Sequence, residues 1–553
     1  MEAASQVRPS LIGRVAQAFE YVSLCCLAVV ATLIFVQILL RNFVSLAYAG
    51  IEEVARLAHI NLVFLLVPLL FREGLHININ LLTQYAGPKL KRILDAVAAL
   101  LTAVSDADRR GEARADDQGP VGRRQAVSGV HIIGLFLLLS LLGVPLAVSM
   151  GLSAVTYIVI AGIPLATIAH RMGNAINSFP LLAVVLFIYV GALLNATGMT
   201  QRLYAAARVA VGRVRGDLAY VGVLSELVLS GISGSALADI GALGNVQITA
   251  MKEQGYPEDF AACITATGAT LGPIFPPSIP LILYAAAAEI SGLKLLIAGI
   301  LPSLVIAAFL CLQIWYYARK YNFPKDSRVI PWKEKLRIVV VALPAFSIPV
   351  ILVAGLLLGW FGPTELAAFT IVCGFLVGGA IYRELTWKKC VESAKETVRA
   401  TATIMFIVSS SALFAWALTV EQVPDQVSSL MFGISENPYV LLLIVNAILL
   451  VVGMFMESIS AIMVMTPLIV PPLHAAGVDP IHLGMVVVFN LMIGLLTPPV
   501  GMSLYMVSIV SGVPFTRLAK VIWPFLTPLL VALLVVTLVP SITTWLPTVL
   551  FAK

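Results

Sequence analysis

Long apolar stretches separated by short polar segments cover most of this 553-residue chain. Apolar runs of membrane-spanning length recur from Phe19 to Leu550. A helix needs about 20 apolar residues to cross the hydrocarbon core, and in lipid only helices and closed barrels satisfy their own backbone groups. The pattern therefore predicts an all-α polytopic membrane protein. The first run, residues 19–40, is too long for a cleavable signal peptide and predicts a spanning helix.

One long polar interruption divides the chain. Residues 105–129 are charged, contain glycine and show no apolar periodicity. Such a composition is typical of a linker or a disordered segment. We therefore predict an N-terminal helical scaffold of about three helices over 1–104, a charged linker or junction over 105–130, a first repeat over 131–330 and a second repeat over 331–553.

The two predicted repeats share a segment in which a glycine and a Pro-Pro pair interrupt apolar sequence. Gly272 precedes Pro276 and Pro277, and Gly494, 222 positions later, precedes Pro498 and Pro499 at the same spacing. Proline removes backbone N–H donors, and unwound backbone at membrane depth is tolerated where it lines a cavity or binds something. The duplication predicts inverted-topology repeats with helical hairpins and broken helices around a substrate site. The simpler alternative is a proline kink in an ordinary packed helix.

The chemistry of such a break suits both a cation and an anion. Free carbonyls and hydroxyls bind hard cations, whereas the N-termini of half-helices favour anions. Ser230, Ser233 and Ser235 precede the first break and are separated from it by a predicted intervening helix. These serines can alternatively be small residues that allow close helix contact.

Ionisable side chains within apolar sequence are costly and usually functional. The candidates here are Glu226, Asp239, Glu289, Glu365 and Glu457. Glu365 follows Gly-Pro-Thr, which also fits the first turn of a helix, where the helix dipole favours a carboxylate. Glu457 and Asp239 are the better site candidates. Glu457 lies within the serine-containing segment 453–460 that precedes the second break, and Asp239 lies just after Ser235.

Composition narrows the function classes. The chain is 60% hydrophobic and 12% charged with a net charge of +6, which fits basic cytoplasmic loops such as 319–337 rather than nucleic-acid binding. The sequence has no HExxH motif, nucleophile elbow or Walker A loop. We therefore expect neither an enzyme nor a chain that hydrolyses ATP.

At these motifs the chain resembles the TRAP transporters, the tripartite ATP-independent periplasmic class. The stretch from Val144 onward resembles their large membrane subunit. The matching segments are GVP at 143–145, SGS at 233–235, MKEQGYP at 251–257, GPIFPPS at 272–278, GPTE at 362–365 and TPP at 497–499. Residues 10–104 resemble the small membrane subunit through Arg41, EEVAR at 52–56, Arg72 and HINI at 76–79.

The resemblance implies a permease of the bacterial inner membrane that couples uptake of an organic anion, a C4-dicarboxylate or sugar acid, to Na⁺. It implies a periplasmic substrate-binding protein as partner, no ATPase subunit, no organic cofactor and an elevator mechanism. By position, the first sodium site would use Ser230, Ser233, Gly272, Phe275 and Pro276. The second would use Gly453, Gly494, Thr497 and Val500. The substrate cavity would be lined by Ser235, Pro277, Ser278, Glu457, Ser458, Pro498 and Pro499.

The sequence departs from the family pattern at two places. Asp239 stands where small residues usually follow the Ser-Gly-Ser motif. The small-subunit part should have four membrane helices, yet the third stops near Val104 and charged sequence follows. The alternatives are a stand-alone sodium/dicarboxylate symporter of related architecture, an intramembrane enzyme, or an inactive product of a disrupted gene.

Overall fold

The structure, a computed structural model, describes residues 11–44, 48–73, 128–323 and 331–551. The predicted third N-terminal helix and the charged stretch up to residue 127 lie outside the described residues. Within the described ranges the fold is all-α, and nine helices are long and apolar enough to cross a membrane, or ten if one bent pair counts as a single span. The predicted all-α polytopic fold class is confirmed.

The N-terminal helices form a pair that lies against the rest of the protein. Helix α1 covers Leu11–Phe43 and α2 covers Ala49–Glu73. They pack on each other and on two later helices, α16 (Pro363–Phe375) and α17 (Trp387–Val420). Helix α1 therefore runs along the surface of the large apolar region.

The helices of the first half follow in chain order. They are α3 (Gly129–Leu141), α4 (Leu146–Ile160), α5 (Ala166–Ile176), α6 (Phe179–Ala196), α7 (Met199–Val211), α8 (Asp217–Ser233), α9 (Ala236–Asp239), α10 (Asn245–Glu253), α11 (Glu258–Gly268), α12 (Ile279–Ala287), α13 (Gly292–Ala298) and α14 (Ile300–Lys320). A wide π-helical turn over Ile240–Gly244 joins α9 to α10.

The second half begins with α15 (Trp332–Leu357), α16 and α17. The remaining helices are α18 (Val423–Ile434), α19 (Pro438–Phe455), α20 (Ser458–Ala475), α21 (Pro480–Gly494), α22 (Met502–Ser511), α23 (Phe515–Val521), α24 (Trp523–Leu538) and α25 (Ser541–Phe551). A shift of 222 positions places α8 on α19, α11 on α21 and α12 on α22. The sequence duplication is therefore also a duplication of helices.

Matching turns confirm the register of the two halves. Gly255 and Gly477, also 222 positions apart, have φ of +85° and +87°. The residue after each glycine makes the equivalent bond: Tyr256 N donates to Met251 O at 3.0 Å, and Val478 N donates to Leu473 O at 3.0 Å. Glycine is needed here because the left-handed conformation strains other residues.

Candidate functional site at the two broken helices

Each half presents a hairpin whose tip lies just before a new helix N-terminus. The first tip lies between α8 and α9, and the second between α19 and α20. The residues that cap the new helices, Ser235 and Glu457, occupy equivalent positions. Ser235 Oγ accepts a bond from Ala238 N at 3.5 Å, whereas the Glu457 carboxylate accepts from Ile459 N at 2.9 Å and Ser460 N at 3.2 Å.

The first break interrupts a helix as the sequence predicts. After α11 the chain tightens into a 3₁₀ turn over Ala269–Leu271 and stays non-helical until Ser278 caps α12, its Oγ accepting from Leu281 N at 3.2 Å. The Ser278 hydroxyl also donates to the carbonyl of Pro273. Among hydrogen bonds between described residues, none ends on the carbonyls of Gly272, Phe275 or Pro276. These carbonyls are therefore suitable cation ligands.

The first tip touches the first break. Gly234 has φ of +59°, and a Cβ built there would lie 3.1 Å from Ile279 N and 3.4 Å from Pro277 O. Ser235, Pro277 and Ser278 are thereby brought to one place. The side chains of Ser230 and Ser233, predicted for the first sodium site, lie outside the described residues, although both positions belong to α8.

The second break has closer backbone packing. A Cβ built at Gly494 would lie 2.6 Å from Gly453 Cα and 2.7 Å from Gly453 C. Thr497 N donates to Gly494 O at 2.9 Å, and Thr497 Oγ1 donates to Ile493 O at 2.8 Å. Because a hydroxyl that donates one bond keeps its lone pairs, Thr497 Oγ1 can still bind a cation. Gly453, Gly494 and Thr497 are therefore neighbours.

The remaining predicted residues of the second half border the same break. Val500 ends the irregular segment, directly before Gly501 with φ of +51°. Ser458 is the first residue of α20, and its hydroxyl donates to Glu457 Oε1 at 2.9 Å. The Pro498–Pro499 peptide is cis, as is Pro276–Pro277. The two breaks thus share their backbone conformation at the proline pair.

The two halves pack against each other around the breaks. Helix α12 packs against α20, and α22 packs against the π-helical turn and α11. Tyr284 Oη donates to Pro480 O at 3.4 Å, and Lys252 Nζ donates to Ser511 O at 2.9 Å. The half-helix after each break therefore lies beside the hairpin of the other half.

A cavity of about 710 Å³ runs beside α12 and α20. Its walls include Leu283 and Met463, roughly one turn beyond the predicted substrate residues Ser278 and Ser458. Its polar residues include His170 and Arg171 of α5. The cavity is large enough for a small organic anion and extends along the two helices that start at the predicted site.

The carboxylates predicted as candidates have different surroundings. Glu226 is fully buried and accepts a bond from Gln247 Nε2 at 3.0 Å. Asp239 lies against Gly272, because a Cβ built at Gly272 would collide with its carboxylate. Sequence reasoning did not single out Gln247, which no motif marks.

Two other carboxylates have structural partners. Glu365 lies in the first turn of α16, as the alternative interpretation proposed, and pairs with Arg41 of α1 at 2.6 Å. Glu457 serves as the N-cap of α20. Glu289 lines the cavity beside α12.

Comparisons with known proteins agree with this architecture. The model of the family described as "Tripartite ATP-independent periplasmic transporter, DctM component" matches residues 133–542. The model of the DctQ component matches residues 30–105. The chain therefore belongs to the DctM family of tripartite ATP-independent periplasmic transporters, and it also carries a DctQ-like region. It is a multi-pass membrane permease of the TRAP class with large- and small-subunit regions in one chain.

Individual relatives of the chain are also large permease proteins of TRAP transporters. The chain is 37% identical over 411 residues to the sialic acid TRAP transporter large permease protein SiaM of Vibrio cholerae, covering 73% of this chain and 95% of SiaM. It is 38% identical over 400 residues to the C4-dicarboxylate TRAP transporter large permease protein DctM of Pseudomonas aeruginosa, covering 72% and 93%. These proteins are permeases, so the expectation that the chain is not an enzyme is confirmed.

A solved structure shares the fold. The crystal structure of the YdaH transporter of Alcanivorax borkumensis, which has an unusual topology, matches with a TM-score of 0.50 and 15% identity. The match covers 65% of this chain and 84% of that one. At this identity the likeness concerns the fold alone.

Proposed function

We propose that this permease couples the uptake of a small organic anion to the inward movement of Na⁺. The observation that carries the proposal is the pair of broken helices, each with a cis proline pair after an unwound segment, in a sequence that has no motif for ATP hydrolysis. Oxygen ligands of this kind suit a hard cation and need no full negative charge.

The sodium ions would bind at the two breaks. The first site would use Ser230 and Ser233 with the backbone at Gly272, Phe275 and Pro276. The second would use Gly453, Gly494, Thr497 and Val500. Support for the second comes from the backbone contact between Gly453 and Gly494 and from the position of Thr497 three residues further on.

The substrate would lie between these sites. Ser235, Pro277 and Ser278 come from the first half, and Glu457, Ser458, Pro498 and Pro499 come from the second. The N-terminus of α12, which is capped by the neutral hydroxyl of Ser278, supplies partial positive charge for an anion. The named relatives transport sialic acid and C4-dicarboxylates, so a carboxylate-bearing substrate delivered by a periplasmic binding protein fits this site.

We propose an elevator motion against a fixed scaffold that includes α1 and α2. Glu20 of α1 pairs with Arg399 at 2.9 Å and with Lys395 at 3.5 Å, and Arg41 near the other end pairs with Glu365. The 21 positions from Glu20 to Arg41 span roughly 30 Å of helix, about the thickness of the hydrocarbon core. These pairs hold α1 at both ends, which suits a part that stays still.

Uptake into proteoliposomes tests the proposal. The purified permease would be reconstituted with its cognate binding protein outside, and labelled C4-dicarboxylates and sugar acids would be offered under an inward Na⁺ or K⁺ gradient. We expect uptake only with Na⁺ and only with the binding protein. Equal uptake in K⁺ would contradict the coupling, and uptake without the binding protein would favour a stand-alone symporter.

A further inference from the structure

A second cavity lies away from the two breaks, between α7, α8 and α14. Its volume is about 690 Å³. Arg213 and Arg215 border it where α7 leads into α8, and Arg319 borders it in the last turn of α14. The side chains of all three arginines are exposed.

The rest of the cavity is apolar. Its walls include Leu224 and Leu227 of α8 and Ala307 and Cys311 of α14. The α14 wall runs 12 positions from Arg319 to Ala307, about 18 Å of helix, and the α8 wall runs 10 positions from the start of α8 to Leu227, about 15 Å. Half of a hydrocarbon core is roughly 15 Å thick. The cavity therefore combines a cationic end with an apolar channel about one leaflet deep.

Aromatic residues place the cationic end at the membrane surface. Trp315 is 49% exposed, and the guanidinium of Arg319 lies 4.2 Å from its ring centroid. Tyr316 and Tyr317 follow in the same helix, and Tyr220 lines the cavity. Tryptophan and tyrosine are enriched at the depth of the lipid headgroups. A phosphate at that depth would meet the three arginines.

We propose that this cavity binds an anionic glycerophospholipid, with its phosphate between Arg213, Arg215 and Arg319 and one acyl chain between α8 and α14. Arginine guanidinium groups form charge-assisted hydrogen bonds with phosphate. Basic pockets between transmembrane helices are suited to anionic headgroups. Because α8 is one arm of the first hairpin, the lipid would contact the helix that leads to the tip beside the first break.

Native mass spectrometry of the full chain in detergent tests this site. Phosphatidylglycerol and phosphatidylcholine of the same acyl composition would be titrated separately. We expect tighter binding of phosphatidylglycerol and a loss of roughly fivefold in affinity per arginine in Arg213→Gln/Arg215→Gln/Arg319→Gln. The matched control is Lys333→Gln/Lys335→Gln/Arg337→Gln, which removes the same charge outside the cavity lining and should bind as the wild type does.

A second variant separates lipid from free phosphate. Ala307→Phe fills the apolar end and leaves the arginines in place, so it should weaken phosphatidylglycerol binding, and excess inorganic phosphate should not displace the lipid from the wild type. The proposal is overturned if both triple variants lose the lipid equally, if phosphatidylcholine binds equally well, if Ala307→Phe has no effect, or if inorganic phosphate displaces the lipid.

Discussion

The two broken helices have the same backbone plan but different surroundings. The first break carries three buried polar side chains on the helices beside it, at Glu226, Asp239 and Gln247. The equivalent positions 222 residues later are Ile448, Ala461 and Ile469. The duplicated fold forms its break in either environment. The proline pair and the glycine register are therefore the repeated element, whereas Glu226 and Asp239 have no carboxylate at the equivalent positions of the second half.

The difference is clearest at the paired glycines. Gly272 faces a side chain, the carboxylate of Asp239, whereas Gly494 faces the backbone of Gly453. A side chain can be shortened by substitution, and a backbone cannot. A second substitution can therefore relieve the clash of an alanine at position 272 with Asp239, but no substitution can relieve the clash of an alanine at position 494 with the backbone of Gly453.

Gly494→Ala should have the largest effect. The new Cβ would lie 2.6 Å from Gly453 Cα, and overpacking of this kind costs about 1–3 kcal/mol or more. We expect uptake in proteoliposomes near background and a lower melting temperature. Gly433→Ala is the control, because a Cβ there meets nothing within 4 Å. Normal uptake by Gly494→Ala would show that the close contact is dispensable.

Gly272→Ala should be nearly as harmful, but it should be partly reversible. Its Cβ would collide with the carboxylate of Asp239, so adding Asp239→Ala removes the obstacle. A double-mutant cycle on melting temperature and uptake should show a favourable coupling between the two substitutions. Additive losses would mean that the first break, like the second, is limited by backbone packing.

Glu457→Ala should have an intermediate effect. It removes the acceptor for Ile459 N and Ser460 N, and loss of an N-cap costs about 1–2 kcal/mol. Glu457→Gln retains an acceptor oxygen but removes the negative charge. It therefore separates the role of Glu457 as helix cap from its proposed role in the substrate cavity. If the side chain acts mainly as a cap, Gln should preserve stability and uptake better than Ala. If Gln is as inactive as Ala while melting normally, the negative charge itself serves the substrate cavity.

Thr497→Ala should have the smallest effect on folding and a specific effect on Na⁺. It deletes the hydroxyl proposed as a ligand and leaves the backbone carbonyls, so the Na⁺ concentration for half-maximal uptake should rise about tenfold. Thr527→Ala is the control, since Thr527 Oγ1 makes the same kind of bond, to Trp523 O at 3.3 Å, on an exposed surface. An unchanged Na⁺ titration in Thr497→Ala would remove this residue from the site.

The sequence predicts the helices and breaks well because these features are local. Apolar length specifies spanning helices, and Pro-Pro together with glycine interrupts them whatever the tertiary contacts are. The partners of the carboxylates depend instead on residues distant in sequence. Arg41 reaches Glu365 across 324 positions, and no pattern along the chain marks that pairing. The cap formed by Glu457 has a local signal, a carboxylate just before a helix, which the interpretation as a site residue overlooked.

The dependence of uptake on Na⁺ concentration tests the central claim most directly. Substrate uptake would be measured with saturating binding protein across a Na⁺ series at constant ionic strength, for the wild type and for Thr497→Ala. Two cation sites, one at each break, predict a sigmoidal curve with a Hill coefficient above one for the wild type, and a curve shifted to higher Na⁺ for the variant. Uptake that is independent of Na⁺ in the wild type would contradict the account.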